Sequence, residues 1–111
     1  MVALLLSLLT VVITASQAAL SADHQPQLIP KEPIQRADQR LRGQGWQPAQ
    51  GLNPDPLERH LAGNQLASLS ACSGTGQGFC RYDYQRGGMS LAVVTIPGPN
   101  AEGLVQSWSL R

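Results

Sequence analysis

Lysine, histidine, cysteine and aromatic side chains are all scarce in this chain of 111 residues. Lys31 is its one lysine, and the arginines interleave with seven acidic residues for a net charge of +1. No basic stripe exists to follow a phosphate backbone, which removes nucleic acid from the expected partners. The two cysteines and two histidines fall short of a structural zinc set, because the cysteines lack C-x-x-C spacing, His24 lies among prolines and His60 stands alone. The same spacing argues against a redox dithiol. No metal and no cofactor is expected. With aromatics at 5%, at least two of Trp46, Tyr82, Tyr84 and Trp108 are needed to fill a core. Tyr82 and Tyr84, with Arg81 between them, are nevertheless retained as a candidate binding surface.

Charge is also missing from the beginning, where no ionised side chain precedes Asp23. Residues 2–13 form an almost unbroken apolar run of secretory length, and Ser16, Gln17 and Ala18 provide the small-residue spacing of a cleavage site. The pattern predicts a signal peptide over 1–18, or an uncleaved anchor that would be the chain's one tie to a membrane. The basic residues usual at the start of such a signal are absent. Residues 19–33, with three prolines, read as a flexible leader. The folded part is then a single domain over 34–111, exported to the periplasm or the cell exterior.

Within it, Ile34, Ala37 and Leu41 recur at helical spacing and Gly43 can end the turn, which predicts a helix over about 34–42 with Asp38 and Arg42 as an i, i+4 pair on its outer face. Asp55, Pro56 and Glu58 carry the capping-box signature of a second short helix near 56–62, in which Leu57 and Leu61 form an apolar i, i+4 pair. From Phe79 the period changes to two. Three strands follow, over about 79–85, 89–96 and 104–110, the last with Leu104, Trp108 and Leu110 on one face. A brief strand around Trp46 is a further possibility, and the whole predicts a small two-layer α+β domain built on a three-stranded antiparallel meander.

ACSGTGQGFCRY, residues 71–82, is the one concentrated motif. In an oxidising compartment, two isolated thiols are expected to pair, so Cys72 and Cys80 are read as a disulfide, with Gly74, Gly76 and Gly78 letting the chain curl between them. GTGQG resembles half of a dinucleotide or kinase glycine loop, but the match stops there. Phe79 stands where a third spaced glycine belongs, strand follows where helix is required, and no lysine comes after. A small anion nest of backbone amides and a Cys72 nucleophile assisted by His60 are weaker alternatives. Asp83 and Glu102 are candidates for an acid and base pair only if the meander brings them together.

GQGWQP, then SACSGTGQGFCRYDY and GGMSLAVVT, resembles small exported bacterial proteins of unknown function, cyanobacterial ones among them. The resemblance runs from about residue 34 to 95 and implies export, the fold and the Cys72 to Cys80 bridge. It brings no activity and no catalytic residues. The sequence therefore points to a non-enzymatic module that binds a protein or small-molecule ligand, through its sheet edge or its glycine loop.

Overall fold

The computed structural model describes residues 25–74 and 78–111. Within these residues two helices, α1 (Ile34–Gly43) and α2 (Pro56–Ala62), accompany five strands: β1 (Gln47–Pro48), β2 (Leu69–Cys72), β3 (Cys80–Arg86), β4 (Met89–Pro97) and β5 (Gly103–Leu110). All strand pairings are antiparallel. The expected α+β meander is the spine, β3 to β4 to β5, and β1 and β2 lie end to end along the far edge of β3. The segment expected as 1–18 signal lies outside the described residues. Among those described, no helix is long and apolar enough to cross a membrane.

One face of the sheet carries the core. Cys80, Tyr82 and Tyr84 of β3 stand opposite Thr95, Val93 and Leu91 of β4, and all six are buried. Ile34, Ala37 and Leu41 of α1 pack on that face with Trp46 and Val105. The Arg86 guanidinium lies 4.6 Å from the centroid of the Trp46 ring and donates to Gln44 O at 2.7 Å. It thus seals the indole with a cation over its face.

Local signals placed both helices. In α2, Asp55 accepts from Glu58 N at 2.8 Å while the Glu58 carboxylate accepts from Asp55 N at 3.0 Å, and Gly63 ends the helix in the left-handed region at φ +72°. Glu58 Oε2 also accepts from Cys72 N at 3.0 Å, so one carboxylate caps a helix and fastens it to the outer edge of β2. This inward use of Glu58 turns the other side of α2 outward. Leu57 and Leu61 are 60% and 40% exposed, and it is Ala62 that is buried.

Asp38 departs from its expected place on the outer face of α1. It is 3% exposed, accepts from Tyr84 Oη at 2.6 Å and keeps its ion pair with Arg42 Nε at 3.1 Å. A helix with only four buried positions spends one of them on a carboxylate because a phenol reaches it from the sheet. Burial first, and then the Asp38 bond, push the Tyr84 phenol far above its ordinary value. Tyr82 is raised too, chiefly by burial, against the opposing bond that its oxygen accepts from Asn64 Nδ2 at 2.9 Å.

The leader is not free over its last residues. Lys31 N donates to Val105 O at 2.6 Å and Val105 N to Glu32 O at 2.8 Å, with Pro33 bridged to Leu104. Glu32 is buried, held by Arg40 Nη1 at 2.8 Å, and Gln27 N donates to Gln44 Oε1 at 3.1 Å. The ordered domain therefore reaches back to Gln27. An ion-paired carboxylate and two backbone bonds to β5 outweigh the freedom that a proline-containing segment would otherwise keep.

Candidate functional site

Cys72 and Cys80 are bridged, with their Cα atoms 4.0 Å apart. They stand directly opposite one another on β2 and β3, and Ser73 N donates to Phe79 O at 2.6 Å just beyond them. The staple thus joins two strands, where the sequence suggested a curled turn. β2, at four residues, has no alternation long enough to predict it. Of the loop glycines, Gly78 alone needs its residue type in the described chain: it has φ +70°, and a Cβ there would meet Pro97 Cγ at 2.6 Å. Gly74 has open space around it, and Gly76 lies outside the described residues. Neither sulfur is a free thiol, so the nucleophile imagined at Cys72 has no thiolate to work with.

The proposed surface of Tyr82, Tyr84 and Arg81 is dismantled by the pleat. Both rings face the core at 0% and 1% exposure. Arg81 points from the opposite face and is held in a fork by Asp83 at 3.0 and 3.1 Å. Asp83 pairs with Ala92, whereas Glu102 lies beyond the Pro97 end of β4. Five residues of strand separate those levels by roughly 17 Å, too far for a shared acid and base role.

Two depressions flank α2. The larger, about 660 Å³, is lined by Pro54, Pro56, Arg59, His60, Asn64 and Gln65 among others. Its main polar groups already serve the fold, with Arg59 donating to Leu66 O and Asn64 joined to Tyr82 and Leu66 N. The smaller, about 210 Å³, runs between the C-terminal end of α2 and the β4 to β5 turn, with His60, Thr95 and Glu102 in its lining. No cluster of three or more His, Cys, Asp or Glu side chains suited to a metal occurs among the described residues.

The open surface lies on β5. Thr95 pairs with Val105 and Val94 with Ser107, leaving Gln106 as an extra residue in a β-bulge. The bulge reverses the alternation, so that Val105, Trp108 and Leu110 share the core side while Leu104 is opposite Ile96 on the other. Plain alternation predicts Leu104 on the face of Trp108 and Leu110, a pattern that holds only without the inserted residue.

Backbone polarity follows from the same register. Ser90 and Arg111 exchange both hydrogen bonds, at 2.9 and 2.8 Å. In an antiparallel ladder such pairs alternate, so Ser109 and Ser107 also point their amides and carbonyls at β4. Trp108 and Leu110 point theirs away. Among the described residues nothing accepts from or donates to those four groups. Among the described residues the docked leader covers the edge only as far as Val105. There Pro30 has no N–H to give, and Lys31 adopts φ +69°, which swings the preceding chain off the strand. Trp108 and Leu110 are each 37% exposed at this rim.

No protein-family model, curated protein or solved structure matches the chain.

Proposed function

We propose that this chain is an exported binding module, acting in the periplasm or outside the cell, that takes an extended segment of a protein partner as an added strand on the open edge of β5. The observation that carries this reading is the backbone of Trp108 and Leu110, which has no partner among the described residues. An uncovered run of edge amides and carbonyls is a template for strand addition, and natural edges are normally blunted by charge, proline or a covering element. Among the described residues the covering segment stops at Val105, and the stretch beyond it, Gln106 to Leu110, contains no charge and no proline. Trp108 adds an exposed ring of the kind that anchors interfaces. Export is supported by the apolar start of the sequence and by the disulfide, which persists in oxidising compartments.

Leu110→Pro tests the edge. It removes an N–H that points away from β4, so the ladder survives while the incoming strand loses a donor and meets a ring. Immobilised wild-type domain is expected to capture a partner from the extracytoplasmic fraction of its host, and the Leu110→Pro domain, folded by circular dichroism, to lose that capture at least tenfold. Equal capture by both would contradict the reading.

A further inference from the structure

Resting on that reading, we infer that the segment received by β5 is acidic at its flanks. Lys31 and Arg111 stand at the two ends of the open stretch. Lys31 sits where the leader leaves the edge, its backbone bonded to Val105, and Arg111 closes the strand against Ser90. Six residues of strand separate Val105 from Arg111, roughly 20 Å. Both side chains are exposed, and neither has a carboxylate within ion-pair distance among the described residues, where the ion pairs are Arg40 with Glu32, Arg42 with Asp38 and Arg81 with Asp83. Glu102, at the other end of β5, precedes the part that the leader covers. Asp83 lies near Arg111 on the solvent face but is spent on Arg81.

Between the two cations the edge is neutral, with Ser107 and Ser109 facing one side and Trp108 and Leu110 the other. An incoming strand would match it with alternating apolar and small polar residues in the middle and carboxylates at its ends. A second copy of this chain fits worse. Antiparallel pairing of two β5 edges about Ser109 would satisfy the four open backbone groups, but it would bring Arg111 of each copy toward Lys31 of the other. Like charges at a contact oppose association and deselect that partner.

Three synthetic peptides provide the test: one alternating Thr and Val centre, flanked on both sides by Glu, by Gln or by Lys. Of the chain's two tryptophans, Trp46 is fully buried and Trp108 is exposed, so collisional quenching of the exposed indole reports occupancy of the edge. At low salt the Glu-flanked peptide is expected to bind about tenfold more tightly than the Gln-flanked one, an advantage that 0.5 M salt removes. The double variant Lys31→Glu, Arg111→Glu, both changes at exposed positions, is expected to reverse the order in favour of Lys flanks. Equal protection of Trp108 by the Glu and Gln peptides would overturn the charge inference and leave the edge reading standing. Trp108 unprotected by all three peptides would overturn both. Sedimentation showing a dimer with Trp108 shielded would replace the acidic segment by a second copy.

Discussion

Replacing both cysteines by serine is expected to lower the free energy of unfolding by about 2.5 kcal/mol, the loop-closure value for so short a ring. The two residues are eight apart in sequence, and in a domain of this size that loss corresponds to a fall in melting temperature of roughly 10–20 °C. The bridge does more than close a loop. It fixes β2 on β3, and through the Glu58 bond to Cys72 N it fixes α2 on β2. The serine variant is therefore expected to show early amide exchange in β2 and α2, while the amides of β3 and β4 that bond within the sheet, and those of β5 that bond to β4, stay protected until global unfolding. Thermal unfolding with and without reductant checks the size of the effect. Residue-resolved exchange checks its location, and a reduced protein as stable as the oxidised one would refute the role given to the staple.

Asp38→Ala is expected to cost about 2–3 kcal/mol, because it removes a charged acceptor from a buried phenol. Tyr84→Phe removes the same bond from the other side and leaves Asp38 its pair with Arg42, so a smaller cost of about 1–2 kcal/mol is expected. The two changes share one interaction, and the double variant should lose less than the sum. Alkaline titration supplies an independent readout, since both tyrosines of the chain are buried and raised. In the unfolded chain they ionise near pH 10, while in the folded protein they keep their protons. Stability is thus unaffected by these groups below about pH 10 and falls as pH rises above it toward the raised folded values. The phenolate absorbance should appear together with unfolding. A free titration of either phenol in the folded domain would contradict its buried place.

What the sequence disclosed was local. Asp55, Pro56 and Glu58 specify the start of α2 within four positions, and the alternation of β3 is set by the two sides of a half-buried strand. The cysteine pairing was legible because the two cysteines stand alone in the sequence. What stayed hidden depends on distant partners. Asp38 reads as a surface ion pair until Tyr84, 46 residues away, reaches it. Leu57 and Leu61 advertise a buried stripe, yet the inward side of α2 is decided by the bond from Glu58 to β2. β2 has four residues and a bulge of its own, and exists through its pairing with β3 and the disulfide. The candidate site was legible only in outline, as a sheet edge. Its location at Trp108 and Leu110 depends on one inserted residue, Gln106, and on where the leader stops, and neither has a signature in composition or period.

The open edge of β5 is tested most directly by amide exchange in the isolated, oxidised domain, followed residue by residue along that strand. Fast exchange is expected at Trp108 and Leu110, whose N–H groups face outward, with slow exchange at Ser107 and Ser109, which are bound to β4. Uniform protection across the four residues would mean that the edge is already covered and would contradict the binding surface proposed for it.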